Sequence, residues 1–191
     1  HRLLTEIIAA NQFLGDHNSI LLGRNLSSCA DYICTQLLER LDAREEEKKI
    51  RLVALGKWGG LELGFRSDLD LILVTKNTPN QQDQKIARRF INRLNDVHKG
   101  GKIYSVDLRL RPSGKAGPLI LSEDQWTHYL TTKAAPWERQ AYLRSRPLSP
   151  LISNNVSFIL EKGLTDAELH ELNDIRQKVL KTTENNLSTD L

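Results

Sequence analysis

At 191 residues, with Lys+Arg 27 against Asp+Glu 24 for a net charge of +3, the chain can build one sizeable core. It is too evenly charged for a histone-like phosphate-backbone binder. Hydrophobic residues at 39% and charged residues at 27% exclude disorder, and no apolar run approaches the roughly 20 residues of a membrane-spanning helix.

In chain order, Leu4, Ile7 and Ile8 open a helix that Gly15 and Asp16 are expected to end. Ala30, Ile33, Cys34, Leu37, Leu38 and Leu41 repeat at helical spacing and predict a second helix, with Ala43 to Lys49 as its charged, solvated end. Ile50 to Leu55 reads as a strand that enters the glycine cluster Gly56-Lys57-Trp58-Gly59-Gly60, and Leu69 to Thr75 as a second strand rich in β-formers. After Pro79, Ile86, Phe90, Leu94 and Val97 mark an amphipathic helix that Gly100-Gly101 terminates. A third strand is expected over Lys102 to Leu110, stopping at Pro112, with a short return strand at Leu119 to Leu121. Ser122-Glu123-Asp124-Gln125 and Thr165-Asp166-Ala167-Glu168 are capping-box patterns, the second opening a helix with Leu169, Leu172, Ile175 and Val179 on one face. The fold class expected is α/β (α+β): a core over residues 50–121 with a small mixed sheet, N-terminal helices in 1–49 and a helical part in 122–191.

Cys29 and Cys34 are five apart and read as small core residues in a reducing, cytoplasmic setting. His1, His17, His98, His128 and His170 are scattered without zinc spacing. The chain lacks Met and opens on His1 without the basic and apolar regions of a secretory leader, so an excised domain of a longer protein is expected.

The chemistry concentrates in Gly59 to Leu71. Asp68 and Asp70, two apart on a strand, project from one face while Leu69 and Leu71 face a core. Adjacent carboxylates repel, and a divalent cation removes that cost; Mg²⁺ in particular favours one or two carboxylates, waters and nucleotide phosphates. On the third strand, Asp107, Arg109 and Arg111 alternate with Val106, Leu108 and Leu110. If the two strands pair, three carboxylates converge, enough for two metals about 3.5 to 4 Å apart, as in-line nucleotidyl transfer requires. Arg109 and Arg111 would then neutralise phosphate charge. Each half alone has a plainer reading, a solvated face or a surface ion-pair ladder; together, with every alternate position apolar, they point to catalysis. Gly56-Lys57 is not a P-loop, which would need Gly at position 51 and Ser or Thr at 58, where the chain has Arg51 and Trp58. Backbone N–H groups at Gly59-Gly60 can still cradle phosphate, against the plainer reading of a tight turn.

These residues resemble the nucleotidyltransferase superfamily that includes DNA polymerase β: a glycine pair, a D-x-D and a third acid on a neighbouring strand. More closely, the chain is similar to a catalytic domain of the glutamine synthetase adenylyltransferase / adenylyl-removing enzyme family. Gly56 to Leu71 fits its G-K-L-G-G-x-E-L-x-x-x-S-D-x-D-L block, with Trp58 for the usual Leu. Val106 to Leu119 fits V-D-x-R-L-R-P-x-G-x-x-G-P-L, and Trp137 to Ala141 with Arg144-Ser145-Arg146-Pro147 fits a third block. The match covers about residues 50 to 148.

The resemblance implies that Asp68, Asp70 and Asp107 are the catalytic, metal-binding acids for two Mg²⁺ ions (or Mn²⁺), with ATP as substrate. It implies triphosphate contacts at Gly59, Gly60 and Ser67 with Lys57 nearby, and phosphate or structural contacts at Arg109 and Arg111. Trp137, Glu138 and Arg139 would begin a helix packed on the core, as a buried aromatic with an ion pair or closer to catalysis. Asp107 would help hold the metal that activates the attacking hydroxyl. Family members are long bifunctional chains controlling nitrogen metabolism, one half attaching AMP to a tyrosine of glutamine synthetase and the other removing it by phosphorolysis. Ser113-Gly114-Lys115-Ala116-Gly117 is closer to the attaching half, while Leu121-Ser122 also suits the removing half. Glutamine synthetase is the implied partner, with a PII-type signalling protein and glutamine as implied regulators; membranes and nucleic acid are not expected. The competing expectations are the removing half, a transferase acting on nucleic acid or a small molecule, and an inactive regulator-binding domain.

Overall fold

The computed structural model describes residues 18–44, 49–98, 101–114, 117–149 and 161–189, and before them 6, 8, 10, 12, 14 and 15, which are helical. In chain order the elements are α1 (Ser19–Leu41), β1 (Arg51–Ala54), the short helical turn α2 (Gly56–Gly59), β2 (Leu69–Thr75) and α3 (Gln81–Asn95). There follow β3 (Val97–His98), β4 (Gly101–Lys102), β5 (Val106–Asp107), β6 (Ile120–Ser122), α4 (Glu123–Thr132), α5 (Pro136–Tyr142), β7 (Arg146–Pro147) and α6 (Asp166–Thr189).

The central strand β2 reads Leu-Asp-Leu-Ile-Leu-Val-Thr, a near-continuous apolar run of the kind that is covered on both faces. β1 lies antiparallel to it, Arg51↔Val74 through Ala54↔Leu71, and β7 pairs antiparallel with β1. Two strands share the remaining edge of β2. β5 pairs parallel at its start (Leu69↔Val106, Asp70↔Asp107) and β6 parallel at its end (Leu73↔Ile120, Val74↔Leu121, Thr75↔Ser122). The result is the mixed α/β architecture with a small mixed sheet and flanking helices, consistent with a nucleotidyltransferase-like core.

Alternation sorts the strand residues into two layers. Leu52, Ala54, Leu69, Leu71 and Leu73 pack with Leu26, Ala30, Cys34 and Leu38 of α1 and with Ile86, Phe90 and Leu94 of α3. Val53, Leu55, Ile72 and Val74 pack with Trp126, Leu130 and Tyr142 of α4 and α5. Both cysteines are free, Cys34 in the core, and burial raises its thiol pKa. Among the described residues no helix is long and apolar enough to cross a membrane.

Local signals set the ends. Asn18 caps α1, its side chain accepting from Leu21 N at 3.0 Å. Asn80 with Asp83 and Ser122 with Gln125 form reciprocal capping boxes on α3 and α4. Thr165 and Glu168 also exchange hydrogen bonds at the start of α6.

Five expectations need correction. The helix after Pro79 stops at Asn95, and Val97 lies in β3 with 74% exposure; Asn95 turns its side chain to accept Val106 N at 3.2 Å. The third strand is not continuous over Lys102 to Leu110. Tyr104 is buried and donates its N–H to Leu94 O at 3.0 Å, and the strand resumes only at Val106–Asp107. It ends there because the Asp107 carboxylate takes the Arg109 backbone N–H at 2.9 Å, a local bond that competes with the ladder. The Ala43 to Lys49 segment is not simply solvated: Arg44 binds Asp42 at 2.6 Å and Asp83 at 2.7 Å, while residues 45–48 lie outside the described residues. Trp137 is exposed on α5, and it is Glu138 that is buried. On α6, Leu169 and Ile175 are exposed, so the expected face is not a core face; the Val179 side chain, like Leu4, Ile7, Asp16 and Gly100, lies outside the described residues.

Candidate active site at the edge shared by β2 and β5

Parallel pairing places Asp70 opposite Asp107, and the Leu69 N–H donated to Ser105 O at 2.9 Å secures that register. Leu69 and Leu71 face the α1–α3 layer, so Asp70 lies on the other face, in line with Ile72 and Val74. Asp68, exposed just before β2, lines an open cleft of about 410 Å³ with Val106, Asp107, Leu108, Arg109 and Arg111. Burial, then the neighbouring Asp107 and Asp68 carboxylates, push the Asp70 carboxyl above its ordinary pKa; Arg109 and Lys57 pull the other way.

The arginines do not extend along a strand. Arg109 folds back at the turn, Nε donating to Asp107 Oδ2 at 2.7 Å and Nη2 lying 2.5 Å from the same oxygen. Arg111 is buried, its Nε donating to Leu108 O at 3.1 Å, and burial lowers its pKa. Among the described residues no three His, Cys, Asp or Glu side chains close around one point. The acids therefore form an open, oxygen-only set beside a cleft. This donor set fits a hard cation that draws the rest of its shell from water and phosphate.

The glycine turn borders the acids. Gly56 has φ +55°, and a Cβ there would lie 2.4 Å from Asp70 Oδ2. Sequence reasoning missed this role; a glycine directly after a buried strand was the available signal, but positive φ is invisible in sequence. A Cβ on Gly59 would meet Arg144 O at 2.1 Å and Ala54 O at 2.7 Å, whereas one on Gly60 meets nothing nearer than 3.5 Å. The N–H groups of both glycines are committed inside the turn, to Leu55 O at 2.8 Å and Gly56 O at 3.1 Å. Lys57 is exposed, near enough to act on the charge of Asp70. Ser67 exchanges two 3.2 Å bonds with the Gly64 backbone and so shapes the loop before Asp68.

A second group that sequence reasoning left without a defined role buttresses the Leu108 to Gly114 turn from below. Tyr142 Oη donates to Leu110 O, and Tyr129 Oη donates to Glu138 Oε1 at 2.6 Å while accepting from the Ser113 backbone. Burial, then the Glu138 bond, push Tyr129 up to about 12, and burial raises Tyr142 too, so both hydroxyls stay protonated at neutral pH. Glu138 also accepts from Ala135 N at 2.9 Å, and Arg139 pairs with Glu168 at 2.6 Å, tying α5 to α6.

A mixed sheet with register-paired acids at its edge and a glycine turn against them suits a nucleotidyltransferase-like core. The chain belongs to the glutamate-ammonia ligase adenylyltransferase family, whose model matches residues 11–158. A bifunctional glutamine synthetase adenylyltransferase/adenylyl-removing enzyme of Neisseria meningitidis is 38% identical over 111 residues, covering 53% of this chain and 12% of the relative. The enzyme of the same name from Bordetella pertussis is 36% identical over 133 residues, 65% of this chain and 14% of the relative. That from Idiomarina loihiensis is 35% identical over 147 residues, 70% of this chain and 15% of the relative. The chain thus spans only 12–15% of the length of these relatives.

Proposed function

We propose that this chain carries a nucleotidyltransferase centre that transfers AMP from ATP to a tyrosine of glutamine synthetase, the adenylylating activity of its bifunctional relatives. The observation that carries the reading is the Asp70↔Asp107 register pair, with Asp68 and the two arginines lining the adjoining cleft. Asp68, Asp70 and Asp107 are the residues to hold Mg²⁺, or Mn²⁺, and a bound divalent ion would supply charge neutralisation on the triphosphate and a lowered hydroxyl pKa. Arg109, already at the cleft, and Arg111 beneath it offset phosphate charge. Gly60 leaves room for close approach through its missing side chain, with Lys57 as an exposed cation nearby; Ser67 holds the loop before Asp68. In the reaction a tyrosine oxygen bonds to the α-phosphorus, the bond to the β-phosphate oxygen breaks, pyrophosphate leaves, and the tyrosine proton passes to a carboxylate of this set.

The preference for the attaching half rests on Ser113-Gly114-Lys115-Ala116-Gly117, by resemblance. The test is incubation with α-labelled ATP, Mg²⁺ and purified glutamine synthetase, alongside adenylylated glutamine synthetase with inorganic phosphate. Label transfer to the first substrate, abolished in Asp70→Asn, is expected. Release of AMP as ADP from the second would assign the removing half instead, and full transfer by Asp70→Asn would defeat the acid assignment.

A further inference from the structure

We infer that Asp31 and Arg146, acting through Trp58, are positioning residues that set the glycine turn against the acids; this rests on the nucleotidyltransferase reading above. The turn itself is short, four helical residues, too few to hold its own orientation. What orients it is the wholly buried Trp58, whose indole N–H donates to Asp31 Oδ1 at 2.8 Å from α1. Arg146 approaches from β7: Nη1 binds Asp31 Oδ2 and Nη2 binds Asp31 Oδ1, each at 2.9 Å. Nη2 also reaches the Trp58 carbonyl at 3.5 Å. Three stretches distant in sequence therefore meet on one residue of the turn.

The geometry is directional. A guanidinium fork on both oxygens of one carboxylate, one oxygen shared with an indole, fixes angles as well as distance. The partners are 29% and 27% exposed, so the pair is shielded more than a surface bridge. β7 pairs Arg146 with Ala54 on the strand that feeds the turn, and the Arg144 carbonyl lies against Gly59. Gly56, two residues before Trp58, is packed on the Asp70 carboxylate. A rotation of the turn about Trp58 would therefore change its spacing to Asp70 directly. The hydrophobic anchoring of α1 through Leu26, Ala30, Cys34 and Leu38 does not depend on Asp31, so fold and positioning are separable.

Asp31→Asn and Arg146→Lys, singly and together, test this by calorimetric titration of ATP in the presence of Mg²⁺. The ¹⁵N-indole resonance of Trp58 reports the hydrogen bond independently. Each single variant is expected to raise the ATP dissociation constant about tenfold, with the double variant little worse because the pair acts as one unit. The Trp58 indole resonance shifts in both, and the melting temperature falls by about 4 °C or less. Arg44→Gln, which breaks the Asp42–Arg44–Asp83 group at the opposite end of β2, is the control for stability alone and should leave ATP affinity at the wild-type value. Unchanged ATP affinity in Asp31→Asn and Arg146→Lys overturns the inference whatever happens to stability, as does an equal loss in Arg44→Gln. A wild-type chain that binds no ATP overturns the nucleotidyltransferase reading and this inference with it.

Discussion

Replacing Gly59 and Gly60 one at a time by Ala separates a glycine kept for packing from one kept for access. At Gly59 the added methyl would lie 2.1 Å from the Arg144 carbonyl oxygen and 2.7 Å from that of Ala54. Both obstacles are backbone, on different strands or their extensions, so no rotamer change relieves them. Overpacking of this kind costs about 1–3 kcal/mol, and two backbone obstacles place Gly59→Ala at the upper end, near 3 kcal/mol. The reduced freedom of the unfolded chain returns only about 0.4–1 kcal/mol, leaving a net loss of about 2 kcal/mol or more. Gly60 has φ −78° and ψ 3°, which Ala adopts without strain, and its methyl would make ordinary contacts at 3.5 to 3.8 Å. Gly60→Ala should therefore be neutral or slightly stabilising. Urea unfolding followed by circular dichroism gives both numbers; with a slope of about 1–3 kcal/mol/M, Gly59→Ala lowers the midpoint by about 1 M. ATP titration completes the contrast, with Gly60→Ala fully folded and weakened in binding. A Gly59→Ala midpoint equal to wild type refutes the packing argument, and wild-type ATP affinity in Gly60→Ala refutes close approach over that residue.

Asp70→Asn should stabilise the chain at neutral pH by about 0.5–2 kcal/mol while abolishing transfer. The folded-state pKa of Asp70 lies above its unfolded value, so the ionised carboxylate costs stability above the folded pKa, and that cost disappears as pH falls toward the ordinary 3.8. Thermal melts of both proteins across that range should converge at the acid end; an Asn variant no more stable than wild type at pH 7 contradicts the picture of repelling carboxylates. Tyr142→Phe removes the hydroxyl that donates to Leu110 O and should cost about 1–2 kcal/mol. Hydrogen exchange should quicken through the turn after Asp107; unchanged protection there would remove the buttress role from Tyr142.

Much of the fold was legible in local chemistry. The apolar run of β2, the capping boxes at Ser122 and Thr165, and the helical repeat of α1 are short-range patterns, and they appear where the residues predict them. The expected strand from Lys102 to Leu110 shows where such reading stops. Its alternation is genuine, but a buried Tyr104 and the Asp107 side chain bonding to the Arg109 N–H give the backbone better partners than a ladder. Arg109 and Arg111 consequently reach the cleft from a turn, one folded over Asp107 and the other buried.

The sequence by itself singled out the candidate site residues: an Asp-x-Asp entering an apolar strand, a third acid followed by arginines, and glycines ahead of both. Side-chain alternation is a property of a single strand, so a common face for Asp68 and Asp70 is what spacing alone predicts, whereas in the structure β2 starts at Leu69 and Asp68 stands just ahead of it. Which strand stands next to β2, and in which register, is a property of pairs. Only the tertiary structure set Asp70 against Asp107, packed Gly56 on the Asp70 carboxylate, and brought Asp31 and Arg146, 115 positions apart, together at Trp58. Contacts of that range leave no periodic trace in the chain, because they depend on where the packed layers bring distant segments together.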